Sequence, residues 1–173
     1  MFKKILIANR GEIACRIIST CKRLGIETIA VHSEADIGSK HSKMADKSVL
    51  IGPADIKQSY LSMEAILKVA IENNVEAIHP GYGFLSENFE FASMVLENGL
   101  KFIGPKPETI RLMGMKDQAK DMVMASEIPI IPGYHGNIQS HDFLHSKAWE
   151  FESPILFKPR GGGGGKGMRL VTS

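Results

Sequence analysis

Short unbroken apolar runs alternate along the chain with longer segments whose apolar residues recur every three or four positions. KILIAN (4–9) carries no polar alternation until its end, as expected of a parallel strand covered on both faces. After Gly11, residues Ile13, Ala14, Ile17, Ile18, Cys21 and Leu24 fall on one helical face, with Glu12, Arg16, Lys22 and Arg23 opposite. Gly25 supplies the stop. ETIAVHS (27–33) and SVLIG (48–52) are the next strands, and YLSMEAILKVAIENN (60–74) reads as a helix with Ser62 or a neighbour as its cap. EAIHP (76–80) returns to strand and closes at Pro80, which cannot continue a hydrogen-bond ladder. Ser86 is expected to cap ENFEFASMVLENG (87–99), where Glu87 and Glu90 complement the helix dipole. KFIGP (101–105) is a fifth strand. Strands joined mostly by helices predict an α/β fold with a Rossmann-like open parallel sheet of doubly wound type.

The rhythm changes after Pro105. KPETIRLMG (106–114) and KDQAKDMVMASE (116–127) read as two short helices, followed by the Pro-rich IPIIPGYHG (128–136) and a third helical segment near 139–151. PILFK (154–158), five glycines (161–165) and MRLVT (168–172) then form strand, loop and strand, a hairpin with a flexible tip. The expected organisation is a first domain over 1–115 and the opening part of a second over 116–173.

Composition narrows the classes. Of 173 residues, 43% are apolar and 23% charged, ordinary for a soluble globular chain. A net charge of +2 leaves no polyanion footprint, which argues against nucleic acid as a partner. The apolar run before Asn9 is too short for a signal peptide core, and no stretch is long enough to span a bilayer. These features predict a cytoplasmic protein, or a mitochondrial matrix protein stripped of its leader. Cys15 and Cys21 stand roughly 240° apart around a helix, so they cannot pair there, and two free thiols suit a reducing compartment.

The glycine run can be tested against three phosphate-binding designs. A dinucleotide fingerprint needs G-x-G-x-x-G between the first strand and helix, where ANRGEIA has the single Gly11. A P-loop needs glycine at position 160 and a hydroxyl after Lys166, where Arg160 and Gly167 stand, and it should lead into a helix rather than a strand. A glycine-rich hairpin tip that folds over phosphates fits better, because amides without side chains can turn towards an anion. Lys158, at the end of the preceding strand, adds a point charge. A disordered linker would not need strand sequences at both ends.

ANRGEIACRI, IHPGYGFLSEN, FIGPKPETIRLMG and GGGGGKGMR, in this order and at these separations, resemble the motifs of biotin carboxylases, the ATP-grasp component of biotin-dependent carboxylases. The resemblance runs the length of the chain. YLSMEAI, PGYHG and the non-acidic residue before Lys116 are most similar to the biotin-bearing subunit of 3-methylcrotonyl-CoA carboxylase and related acyl-CoA carboxylases. It implies a pre-ATP-grasp domain followed by the start of an ATP-grasp lid. It also implies that ATP and bicarbonate give carboxyphosphate, whose CO2 passes to a ureido nitrogen of biotin on a carrier domain. By motif position, Lys116 and Lys158 are expected at ATP phosphates, Gly164 and Gly165 as loop amides, and Met168 at the adenine. Tyr82 and Gly83 are expected beside the biotin. Two lysines and an amide loop suit phosphoryl transfer, which is largely positioning and charge neutralisation.

The resemblance assigns the Mg2+ ligands, the bicarbonate-binding arginine and the general base to sequence after the glycine loop. The 173 residues alone are therefore expected to be inactive, with no catalytic residue and no metal site among them. Implied partners are a biotin carrier domain, a carboxyltransferase component and further copies of the parent chain. Pro159 and Arg160 depart from the small residues usual after the strand lysine, and Met115 replaces a common acidic residue. Competing readings are a non-catalytic nucleotide-binding or assembly module and, more weakly, a Rossmann-like oxidoreductase. Tyr82 also fits a core aromatic with a satisfied hydroxyl, and His79 a structural residue at a strand end.

Overall fold

A computed structural model of the chain describes residues 1–114, 119, 123–124, 128–151, 154–159 and 167–172. Five strands form the sheet: β1 (Lys4–Ile7), β2 (Glu27–Ser33), β3 (Lys47–Gly52), β4 (Ala77–His79) and β5 (Lys101–Phe102). Every pairing is parallel, and the spatial order is β3-β2-β1-β4-β5. This is the open parallel sheet that the apolar runs predict. The chain builds outward from β1 to β3, then crosses to build β4 and β5 on the other side. The carboxyl ends of β1 and β4 therefore face a topological switch point, where open α/β sheets leave a crevice.

Alternation along β1 explains why it carries no polar face. Ile5 and Ile7 pack with Ala14, Ile17, Ile18 and Cys21 of α1 (Gly11–Arg23), while Leu6 and Ala8 enter the larger core. That core receives Ile66, Leu67, Val69 and Ala70 of α3 (Met63–Glu72), Phe91, Ala92 and Val95 of α4 (Phe89–Glu97), and Ile110 of α5 (Pro107–Gly114). With both faces covered, each large aliphatic side chain withdrawn from water contributes about 1.5–3 kcal/mol.

The predicted face of α1 holds except at its end. Leu24 is 51% exposed because the helix stops at Arg23, and Gly25 turns the chain away with φ +69. Cys21 is buried and Cys15 half-buried, both as free thiols.

Three local features differ from expectation. The β2–β3 connection holds a 3-10 turn (Glu34–Asp36) and a short helix, α2 (Lys40–Met44), which no apolar period announced. Helix α3 begins at Met63 rather than Tyr60, although its expected cap holds: the Ser62 side chain accepts from the Ala65 N–H and sets the start there. Helix α4 is capped by Asn88, whose Oδ1 accepts from the Phe91 N–H at 2.8 Å; Ser86 instead spends its own N–H on the Gly83 carbonyl.

The chain divides into two compact units, Met1–Ile110 and Arg111–Ser173. Within the second, α6 (His141–Ala148) is one element and a two-stranded antiparallel ribbon is another. The ribbon pairs β6 (Ile155–Phe157) with β7 (Arg169–Val171) in the register Ile155↔Val171, Leu156↔Leu170, Phe157↔Arg169. The predicted hairpin is thus present as a stem. The expected helix over 116–127 and the glycines at 161–165 lie largely or wholly outside the described residues.

Candidate functional site

The carboxyl ends of β1 and β4 run directly into the segments Asn9–Gly11 and Pro80–Phe84. Asn9–Gly11, Glu12 and Ile13 on one side and Tyr82, Gly83 and Phe84 on the other line an open crevice of about 360 Å3 at the amino end of α1. Gly81 and Gly83 have φ +70 and +72, and Phe84, a non-glycine, has φ +45, so the loop leaving β4 doubles back sharply. Tyr82 projects from that loop with 79% of its surface exposed. It is not a core aromatic.

The loop is tied down on both sides. Asn9 is buried, and its Nδ2 donates to the carbonyls of Pro80 at 2.8 Å and Tyr82 at 3.0 Å, while its Oδ1 accepts from the Arg10 N–H. Both of its donor hydrogens and one lone pair of its oxygen are thus committed locally. At the far side, the Phe84 ring stacks on buried Tyr60 with centroids 5.1 Å apart and planes inclined by 10°. His79 closes β4 and accepts the Gly81 N–H on Nδ1 at 3.0 Å. Burial, assisted by the charge of Arg16, holds its pKa below the ordinary value, so the ring stays neutral and keeps that lone pair. His79 is accordingly a turn-forming residue.

Beneath the crevice lies a polar node that sequence reasoning did not single out. The Arg10 Nε donates to Asp36 Oδ2 at 2.7 Å and its Nη2 to Oδ1, a two-point pair. Asp36 Oδ2 also accepts from the Tyr60 hydroxyl at 2.7 Å and the Ser33 hydroxyl at 3.3 Å. The hydrogen bonds from Arg10 foremost, and from Tyr60, pull the Asp36 carboxyl down to about 2 against the opposing effect of burial. Burial, with the hydrogen bond to Asp36, pushes the Tyr60 phenol up to about 12. The Arg10 guanidinium also lies 5.9 Å from the Tyr60 ring centroid. Alongside, fully buried His41 accepts from the Gly11 N–H through Nδ1 and donates through Nε2 to the Val31 carbonyl, which fixes its tautomer and fastens the first turn of α1.

The other expected site residues belong to the second unit. Lys158 follows β6, is exposed, and makes no hydrogen bond or ion pair among the described residues. Met168 precedes β7 and is 38% exposed. Gly167 has φ +76, and a Cβ built there would lie 3.2 Å from Pro159 Cγ, so the two sides of the ribbon meet just below the glycine segment. Lys116, Gly164 and Gly165 lie outside the described residues. Tyr82 and Gly83 are thus brought together at one crevice, and Lys158 and Met168 at one end of one ribbon. Among the described residues no group of three His, Cys, Asp or Glu gathers as a metal site.

A family model for the biotin carboxylase, N-terminal domain, matches residues 1–110. The chain belongs to the biotin carboxylase family. Residues 115–173 match a second model, the carbamoyl-phosphate synthase L chain, ATP binding domain. The rat mitochondrial methylcrotonoyl-CoA carboxylase subunit alpha is 51% identical over 170 residues, 98% of this chain but 24% of that protein. A Campylobacter jejuni biotin carboxylase in complex with β,γ-ATP superposes with a TM-score of 0.95 at 43% identity, over 100% of this chain and 39% of its own. The biotin carboxylase domain dimer of Hydrogenobacter thermophilus 2-oxoglutarate carboxylase, bound to MgADP, ADP and bicarbonate, gives 0.93 at 45% identity, over 99% and 38%. The chain spans about a quarter of the length of the methylcrotonoyl-CoA carboxylase subunit and well under half of each of these two structures.

For this biotin carboxylase chain, the motif ANRGEIACRI carries the resemblance, yet nothing in it predicted that Asn9 and Arg10 serve different partners. The signal that could have found Asn9 is its place two residues beyond an otherwise apolar strand, where a polar side chain enters the switch-point crevice. Asp36 had no comparable mark within EADIGSKHSKMAD.

Proposed function

We propose that this chain is the amino-terminal part of a biotin carboxylase that uses ATP and bicarbonate to carboxylate biotin on a carrier domain, within an acyl-CoA carboxylase. The observation that carries the reading is the unbroken succession of a biotin carboxylase amino-terminal domain over 1–110 and an ATP-binding domain over 115–173. The acyl-CoA assignment draws support from 51% identity to a methylcrotonoyl-CoA carboxylase subunit. Self-association of the parent draws support from the dimeric state named for a biotin carboxylase domain of the same fold.

In this reading the first domain runs to about residue 115, and 116–173 opens an ATP-grasp lid. Lys116 and Lys158 neutralise phosphate charge as a phosphoryl group moves to bicarbonate, Gly164 and Gly165 offer amides to the same oxygens, and Met168 lines the adenine pocket. The exposed, unpartnered Lys158 ammonium fits that role, since no carboxylate competes for it among the described residues. Tyr82 and Gly83 stand beside the ureido ring of biotin. Mg2+ lowers the charge barrier at the phosphates when bound; its acidic ligands are assigned to sequence that the longer relatives carry. A compartment of cytoplasmic or matrix type suits two free thiols.

The test is Lys158→Ala in a catalytically complete carboxylase carrying this sequence. Bicarbonate-dependent ATP cleavage should fall by roughly a hundredfold or more, with an unchanged circular dichroism spectrum. Undiminished cleavage would remove the ATP-side assignment.

A further inference from the structure

Resting on the reading of residues 80–84 as the biotin-side loop, we propose that Asn9 is a positioning residue for biotin carboxylation, one that sets where Tyr82 and Gly83 stand without touching the substrate. Tyr82 is largely in solvent, and among the described residues its side chain makes no hydrogen bond or ring contact, so its location is decided by its backbone. That backbone is held by Asn9, which is only 1% exposed and stands one residue beyond β4's neighbour Ala8. Both Nδ2 hydrogens are committed, one to the carbonyl on each side of Gly81. The arrangement therefore works as a latch running from a central strand to the tip of a loop, and the strand supplies its rigidity.

The chemistry is specific to an amide. A carboxylate would set a negative oxygen against two carbonyl oxygens, and a methyl group would leave both carbonyls, that of buried Pro80 above all, without this donor. The fit is also close. A Cβ added at Gly81 would lie 2.6 Å from Asn9 Nδ2, so any larger residue at 81 must push the amide aside, besides straining a backbone at φ +70. Asn9 and Gly81 thus form one device, reached from two elements that are adjacent only because β1 and β4 pair. Since a misplacement of about 1 Å can cost on the order of a hundredfold in rate, an exposed group carried on a sharply turned loop needs such a latch.

Asn9→Asp, Asn9→Ala and Gly81→Ala test the device by two readouts. In the 173-residue chain, hydrogen exchange at the amides of Gly81 and Ser86, which donate to His79 Nδ1 and the Gly83 carbonyl, should quicken by roughly tenfold or more. The Ile103 amide, bonded to the Ile78 carbonyl in the sheet, should keep its rate and report an intact fold. In a complete carboxylase carrying the sequence, KM for free biotin should rise roughly tenfold while KM for ATP stays unchanged. The Asn9→Ala/Gly81→Ala double variant should be no worse than the poorer single variant, since both break one latch. Unchanged exchange at Gly81 and Ser86 in every variant overturns the latch itself. Faster exchange with an unaltered biotin KM, or equal rises in KM for biotin and ATP, overturns its assignment to the biotin step. The ATP-side reading is judged separately by Lys158→Ala.

Discussion

Arg10 and Asp36, twenty-six positions apart, are joined by a two-point ion pair at the foot of the crevice, with Nε donating to Oδ2 at 2.7 Å and Nη2 to Oδ1. Asp36 is buried in a 3-10 turn, whereas nearly half of the Arg10 side chain remains exposed. The pair fastens the β2–β3 connection to the entrance of α1, and its geometry is of the bidentate kind that outperforms ordinary surface pairs.

Replacing Asp36 with Asn should destabilise the fold at neutral pH by on the order of 2 kcal/mol, measured by urea unfolding. The sign with pH follows from the direction of the shift. A carboxyl held at about 2 against an ordinary 3.8 contributes fully above 3.8 and loses that contribution as pH falls towards 2. The stability gap between the protein and Asp36→Asn should therefore narrow across that interval. A gap independent of pH would mean that the carboxylate charge contributes nothing.

Tyr60→Phe removes a hydroxyl that donates to Asp36 and accepts from the Ser33 N–H, but keeps the ring against Phe84. Stability should fall by about 1–3 kcal/mol, since buried partners lose hydrogen bonds while packing survives. Tyr60→Ala should cost more, about 3–5 kcal/mol. Unchanged stability in Tyr60→Phe would show that the hydroxyl network carries no weight.

Half-buried His79 has its pKa lowered, so the unfolded chain takes up a proton that the folded chain refuses. Its contribution is fully present above the unfolded value near 6.5 and declines as pH drops below it; His41, also lowered by burial, acts in the same sense. The melting temperature should consequently fall between pH 7 and pH 5. His79→Asn, whose Oδ1 can still accept the Gly81 N–H, should flatten part of that slope. An unchanged slope would show that protonation of His79 does not oppose folding.

MgATP should bind the 173-residue chain only at roughly millimolar concentration, about −4 kcal/mol. Lys158 and Met168 present themselves on an open ribbon rather than within an enclosing pocket, and a small-molecule site normally buries most of its ligand. Isothermal titration decides this. Micromolar affinity that vanishes in Lys158→Ala would identify a self-sufficient nucleotide site and favour a regulatory module over part of a carboxylase.

The strand–helix rhythm of the first 110 residues, the core face of α1 from Ala14 to Cys21 and the ribbon flanking the glycines were all legible in the sequence. Each depends on local periodicity and on turn residues that act within a few positions. Even so, Ser86 lost its expected cap to Asn88, and Leu24 came out exposed, because a shift of one or two residues at a helix end changes which side chain meets which amide. What the sequence could not order was the placing of β4 beside β1. That pairing alone brings Asn9 under the 80–84 loop and makes the reversal that opens the crevice. Asp36, Tyr60 and His41 likewise read as scattered polar residues, since a buried polar group is recognised by its partners and not by any period. Hydrophobic burial writes a repeating pattern along the chain, whereas a hydrogen bond between distant residues exists only once the fold has brought donor and acceptor together.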